Sequence, residues 1–164
     1  MRLWDTRSGK VLDSPGICPA PTTAVALSLD GKMLALASAS SDYTIEVRAV
    51  QSGQTLQMLK GHTDTIKALA FSPDGPTLAS ASWDKTVKIW YAGSEMSRHM
   101  ITGHLDKVSA VVFTPDVILL ASGSWDKTIK LWDTHSGKML QTIKGHSDKI
   151  TDIRNACFVS RWST

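Results

Sequence analysis

The sequence has few cysteines and no long apolar run. Its 164 residues include two cysteines, Cys18 and Cys157, without the CxxC spacing of a zinc or redox site. We therefore expect two reduced thiols, with no disulfide framework and no bound metal. Apolar runs such as Val117–Ala121 are far too short to span a bilayer, and Arg2 stands where a signal peptide needs apolar residues. These absences predict an intracellular, soluble protein, with the cytoplasm favoured over the nucleus.

The sequence also lacks a large excess of either positive or negative charge. Lysine and arginine number 18 against 15 aspartates and glutamates, which leaves a formal net charge of only +3, and the two signs alternate along the chain. A nucleic-acid protein needs a basic stripe, which these interspersed acids argue against. The sequence also lacks the GxxxxGK[ST] loop that binds nucleotide phosphates. We expect no cofactor and no contact with nucleic acid or membrane.

The strongest positive feature is an internal repeat. A Gly-His pair recurs at Gly61-His62, Gly103-His104 and Gly145-His146, with a period of 42 residues. The phrase LASASWDKTVKIW at residues 78–90 returns as LASGSWDKTIKLW at 120–132. Self-similarity at such a period is typical of solenoids and propellers.

These motifs carry a family resemblance. The Gly-His pairs, the Trp-Asp pairs at Trp4-Asp5 and Trp132-Asp133, and the period of 42 residues resemble the WD40 repeat. The resemblance covers nearly the whole chain and implies an all-β propeller segment, with three complete four-stranded antiparallel blades and partial blades at both ends. The segment SGSWDKTIKLWDTHSG, residues 122–137, is also similar to the C-terminal repeats of fungal NACHT-type signalling proteins.

The residue pattern predicts strands independently of the family. Ile66–Phe71 and Val108–Phe113 are short apolar or alternating runs closed by turn residues, and Thr86–Trp90 alternates and is rich in β-branched residues. We therefore predict four short antiparallel strands in each repeat unit. Within one domain, 1–164, we predict the end of a preceding blade at 1–14, blades at 22–59, 64–102 and 106–144, and the start of an incomplete blade at 147–164, with its first strand at 147–153.

Each well-kept unit repeats four polar or aromatic residues. The resemblance implies that they form a buried hydrogen-bonded tetrad, and a satisfied polar network would fix one packing of the blade. Serine, histidine and aspartate could instead form a catalytic triad. An active site is needed once, whereas a structural tetrad is needed in every blade, so we favour a structural role and expect no enzyme. The two predicted tetrads are His62, Ser80, Asp84 and Trp90, and His104, Ser122, Asp126 and Trp132.

Two further tryptophans are candidates for partner binding. Trp83 and Trp125 each precede the turn aspartate, a position that by resemblance faces the propeller's top surface, where partners dock. Tryptophan is enriched among binding hot spots, although each ring could instead pack on its neighbouring blade. Lys67 and Lys107 lie near the same rim. Solvated charge and turn capping are favoured for these lysines, for Lys149, and for Asp64, Asp106 and Asp148; otherwise they would steer partners.

The first unit departs from the pattern. Ile17-Cys18 stands in place of Gly-His and Val47-Arg48 in place of Ile-Trp, so the tetrad keeps only Ser38 and Asp42. We expect this blade to be the least stable of the three. In the third unit Val117 replaces the turn glycine.

Three blades cannot close a propeller ring, which needs about four to eight. The chain ends, 1–14 with 147–153 and residues 156–162, could jointly build a fourth blade. Alternatively, the chain is a fragment of a longer propeller, which we favour, or copies associate. We predict a non-enzymatic scaffold for binding other proteins. The alternative is the sensing or regulatory repeat region of a fungal NACHT-type signalling protein.

Overall fold

A computed structural model describes residues 3–4, 8–12, 21–38, 42–91 and 97–153. Cys18, Cys157 and the possible strand at 156–162 lie outside these residues. In the described part of the chain no helix could span a membrane.

Fourteen short β-strands account for the regular structure that the model describes. They are β1 (Leu3–Trp4), β2 (Val11–Leu12), β3 (Thr22–Leu27), β4 (Met33–Ser38), β5 (Ile45–Ala49), β6 (Thr55–Leu59), β7 (Ile66–Phe71), β8 (Thr77–Ser82), β9 (Val87–Tyr91), β10 (Ser97–Ile101), β11 (Val108–Phe113), β12 (Leu119–Ser124), β13 (Ile129–Asp133) and β14 (Met139–Ile143).

The strands form three four-stranded antiparallel sheets in sequence order. The sheets contain β3–β6, β7–β10 and β11–β14, and β1 pairs with β2 in a separate ladder. The all-β propeller prediction is confirmed. In all three sheets the ladder between first and second strands shifts register near its start, at Thr22, Ile66 and Val108. The structural repeat therefore extends to backbone irregularities.

The apolar core lies between the sheets. Ile45 and Leu59 of the first sheet pack with Ile66 and Trp90 of the second. The same relationship follows one blade later, where Val87 and Ile101 of the second sheet pack with Val108 and Trp132 of the third. Alanines and serines of β8 and β12 are fully buried, which lets neighbouring sheets approach closely. Each sheet is thus stabilised mainly by its neighbours.

The expected first strand at 147–153 is not formed. In the described part of the chain, residues 144–153 contain no strand. They nevertheless dock on the third sheet, where Ile150 and Ile153 are buried against Ala110 and Ala121. The Ile150 N–H donates to the Ser124 carbonyl at 3.0 Å. Burial is therefore achieved, but a ladder needs a second strand as partner, which the described residues do not supply.

The first sheet replaces its core tryptophan with an ion pair. Arg48 is buried at the position of Trp90 and Trp132, and its guanidinium meets the Glu46 carboxylate through Nη2 and Nε, both at 2.9 Å. The sheet therefore keeps its strands without the tryptophan that the later units use.

Candidate functional site

The second sheet contains a complete polar tetrad that links its strands to the preceding loop. His62, just before β7, places Nδ1 2.7 Å from Asp84 Oδ2 and Nε2 2.7 Å from Ser80 Oγ. Trp90 Nε1 donates to the same serine oxygen at 2.9 Å. The edge of the His62 ring also faces Trp90, with ring centroids 6.1 Å apart. All four residues predicted for this unit are in contact.

The third sheet repeats the arrangement. His104 Nδ1 lies 2.8 Å from Asp126 Oδ2, and its Nε2 lies 2.8 Å from Ser122 Oγ. Trp132 Nε1 donates to Ser122 Oγ at 2.8 Å. The three corresponding distances in the two tetrads therefore agree to within about 0.1 Å.

The direction of each hydrogen bond follows from its donors. A carboxylate only accepts, so Nδ1 of His104 carries the proton that is donated to Asp126. Because the Trp132 N–H donates to Ser122 Oγ, the serine hydroxyl donates onward to His104 Nε2. The chain Trp132 to Ser122 to His104 to Asp126 is therefore satisfied with a neutral imidazole.

The charges in the third tetrad agree with this direction. Burial lowers the pKa of His104, and the opposing attraction of Asp126 does not overcome it. Burial alone would raise the pKa of Asp126, but hydrogen bonds from the Thr128 side chain, the Leu105 N–H and His104 outweigh it and lower the pKa to about 2. The pKa of Asp84 is lowered in the same way, with burial opposed by bonds from His62 and Thr86. In the third tetrad, neutral His104 and ionised Asp126 are therefore the stable pair.

The tetrad geometry leaves little room for chemistry. Ser80 and Ser122 have no exposed surface, and each hydroxyl already accepts an indole N–H while it bonds to histidine. A nucleophilic serine must reach a substrate, so these buried hydroxyls are poorly placed for catalysis. In the described part of the chain, no group of three His, Cys, Asp or Glu side chains is placed to hold a metal ion.

Trp83 and Trp125 meet across two neighbouring sheets. Their ring centroids are 5.7 Å apart with an interplanar angle of 55°. The backbone N–H groups of Trp83 and Trp125 donate to the carbonyls of Thr65 and Lys107, both at 2.9 Å, so the two tryptophans occupy equivalent places on the same rim. Both side chains are half-buried. The two alternatives from the sequence are thus not exclusive, since the tryptophans pack between blades and still reach the surface.

Three lysines interleave with these rings. Lys107 Nζ lies 3.9 Å from the centroid of Trp83 and 5.0 Å from that of Trp125. Lys67 Nζ lies 5.3 Å from the Trp83 ring, and Lys149 Nζ lies 4.5 Å from the Trp125 ring. All four distances are within the range of a cation–π interaction. We call Lys67, Trp83, Lys107, Trp125 and Lys149 the Lys–Trp row.

The sequence identifies the residues of this row but does not predict how their side chains stack on one another. The sequence favours a solvated rim charge for Lys149; in the structure this lysine is exposed and its ammonium also lies over the Trp125 ring. The constant period was the available signal, because residues one period apart occupy equivalent places on adjacent blades. It could have shown that Trp83 and Trp125, and likewise Lys107 and Lys149, lie side by side.

The predicted rim aspartates contact their own backbone. Asp64 accepts the Thr65 N–H at 2.6 Å, Asp106 the Lys107 N–H at 2.8 Å, and Asp148 the Lys149 N–H at 2.7 Å. These contacts agree with the turn-capping role favoured from the sequence.

Comparisons with known proteins find similar repeats in other proteins. The family model described as "WD domain, G-beta repeat" matches residues 53–91 and 96–133. An uncharacterized WD repeat-containing protein of Synechocystis sp. is 45% identical over 53 residues, which cover 32% of this chain and 14% of that protein. The solved WD40 repeats of RRP9 and the structure of U3-55K are each similar at a TM-score of 0.76 and 28% identity, over 82% of this chain. The chain covers 42% of each of those solved chains.

Proposed function

The chain carries WD40 repeats, and from this and from its surface we propose that it is a non-enzymatic scaffold that binds other proteins through the Lys–Trp row. WD40 repeats generally serve in protein interaction, and fold alone does not give function, so the proposal depends on the site. The single observation that carries it is the half-buried pair Trp83 and Trp125, with Lys107 over both rings.

The physical properties of the row suit a contact surface. Two indole rings held against each other lose little conformational entropy when a partner docks, and each offers apolar area at its exposed edge. Lys107 lies over both rings, so the row is ordered before binding. Preorganised aromatic side chains with nearby charges are typical of binding hot spots.

The absence of catalysis is part of the proposal. Its support is that both Ser-His-Asp sets are repeated, buried and hydrogen-bonded to tryptophan. Their geometry supports a role in stabilising the blades, as the sequence repeat predicted.

A pull-down tests the scaffold function. Bound proteins would be compared for the native chain, a Trp83→Ala, Trp125→Ala double variant, and a Leu140→Ala control. Leu140 is an exposed apolar residue on β14, with 57% of its surface accessible. We expect the double variant to lose a partner that the control retains, with all three chains shown to be folded by circular dichroism. Equal recovery from all three folded chains would remove the proposal.

A further inference from the structure

We infer that the Lys–Trp row binds an acidic peptide segment of a partner protein, an inference that rests on the scaffold function proposed above. The rings of Trp83 and Trp125 are half-buried against each other, whereas Lys67 and Lys149 are exposed and Lys107 is half-buried between the rings. The part of the row that a partner meets first is therefore cationic.

The three ammonium groups retain their capacity to bind an anion. Among the described residues, Lys67, Lys107 and Lys149 form no ion pair within 4.0 Å, and their Nζ atoms donate no hydrogen bond. An aromatic face attracts the positive charge but does not replace the oxygen acceptors that an ammonium group, with three N–H donors, can bind. Carboxylate oxygens of a partner would supply those acceptors.

The nearby carboxylates form no ion pair with the lysines of the row, because they accept hydrogen bonds from other groups. Asp64, Asp106 and Asp148 accept backbone N–H groups of the residues that follow them. Asp84 and Asp126, which follow the two tryptophans, are bonded to the tetrad histidines. Each aspartate near the row thus has a partner other than a lysine of the row, and the ammonium groups remain for an external anion.

A peptide fits this surface better than a nucleic acid. The row offers three cations separated by two indole rings, and three aspartates lie beside it in the sequence. A continuous phosphate backbone would meet those aspartates, and the chain's net charge of +3 gives it little long-range attraction for a polyanion. A peptide with glutamates or aspartates spaced by apolar residues can place carboxylates on the lysines and apolar groups on the ring edges.

Fluorescence anisotropy with labelled probes tests the inference. The probes are a Glu-rich peptide with interspersed leucines, the same peptide with glutamine for glutamate, the same peptide with lysine for glutamate, and a single-stranded DNA of the same charge as the Glu-rich peptide. We expect the Glu-rich peptide to bind most tightly and to weaken as salt is raised, because exposed charges are screened. Binding of the glutamine or lysine peptide with equal affinity, or tighter binding of the DNA, would overturn the inference.

Variants at the centre of the row locate the contact. Lys107→Gln should weaken binding of the Glu-rich peptide about tenfold, a typical loss for one charged partner, and Lys107→Arg should stay within about twofold since it keeps the cation over the rings. The matched control is Lys138→Gln, in the turn between β13 and β14 at the other end of β13 from Trp125, which should leave affinity unchanged. If Lys107→Gln does not fold, the exposed Lys149→Gln takes its place. Equal losses in the row variant and the Lys138 control would contradict the assignment.

The two proposals fail differently. If a partner is recovered in a manner dependent on Trp83 and Trp125 but the Glu-rich peptide does not bind, the acidic peptide is wrong and the scaffold stands. If no partner depends on the tryptophans and the peptide also does not bind, both proposals are wrong.

Discussion

The Cγ2 atom of Ile150 lies 2.7 Å from the point that a β-carbon on Gly123 would occupy. The Cγ2 atom of Ile153 lies 2.9 Å from the same point. The equivalent residue of the second sheet, Ala81, is fully buried and carries the methyl group that Gly123 lacks. The glycine therefore makes the space in which the segment after β14 docks on the third sheet.

Gly123→Ala should detach that segment. The added methyl must displace two buried isoleucine side chains, and such overpacking costs about 1–3 kcal/mol. We expect a lower melting temperature and faster amide exchange at Ile150, whose N–H bonds to the Ser124 carbonyl. In a background with Ile150→Ala and Ile153→Ala the same substitution should cost much less, because its clash is gone. An equal cost in both backgrounds would contradict this account.

The outcome at this junction shows what the sequence could and could not predict. The strands, the sheets and the members of both tetrads follow from the repeat, since each unit contains the same residues at the same spacing. The segment 147–153 has the residue pattern of a first strand. A strand, however, forms only with a hydrogen-bonded neighbouring strand, and the pattern of this segment alone does not show whether such a neighbour is present. The Lys–Trp row is formed by residues from neighbouring blades. The pattern within one repeat unit therefore identifies its residues but does not predict that they stack on one another.

His104→Ala should destabilise the fold. It leaves the Ser122 hydroxyl without its acceptor and Asp126 without its histidine partner in a buried setting, which costs about 1–3 kcal/mol. His146 is the matched control: it occupies the same repeat position but is exposed, so His146→Ala should change stability by less than about 0.5 kcal/mol. Chemical denaturation of both variants measures the difference. If His104→Ala had the same denaturation midpoint as the native chain, the tetrad would not stabilise the blade.

Acid should destabilise the chain in two stages. The folded pKa of His104 lies below its ordinary value of 6.5, so as pH falls through that value the unfolded chain takes up the proton first and stability is lost. The folded pKa of Asp126 is lowered from 3.8 to about 2, so a second loss follows as pH falls from about 4 towards 2. Urea denaturation across pH 7 to about 2 measures the trend. In His104→Ala the upper stage should shrink; an unchanged upper stage would assign it to another group.

Gly75→Val should weaken the second sheet through its backbone alone. Gly75 has φ +95°, and a β-carbon there would meet no atom within 4 Å, so no clash contributes. Val117, one period later, has φ +63°, so the equivalent turn accommodates a β-branched residue in a left-handed conformation. A left-handed conformation costs a non-glycine residue about 1–2 kcal/mol, so we expect a loss of that size by thermal unfolding. Gly75→Asn should lose less, since asparagine visits this region more readily; equal losses would point to side-chain effects instead.

Amide exchange should be fastest in the first sheet. Trp90 and Trp132 are almost wholly buried and tie the third strands of their sheets to a tetrad serine on the second strand, whereas Arg48 at the same position pairs with the partly exposed Glu46 of its own strand. Because the buried tryptophan is replaced by a charged side chain, local opening of β4 and β5 should need less free energy than opening of β8 and β9. Hydrogen exchange with mass spectrometry measures this order. Ser122→Ala, which removes the central hydroxyl of the third tetrad, should speed exchange in β12 and β13 while β8 and β9 stay slow. Equal protection of all three sheets in the native chain would mean that the packing between sheets, and not the tetrad, sets their stability.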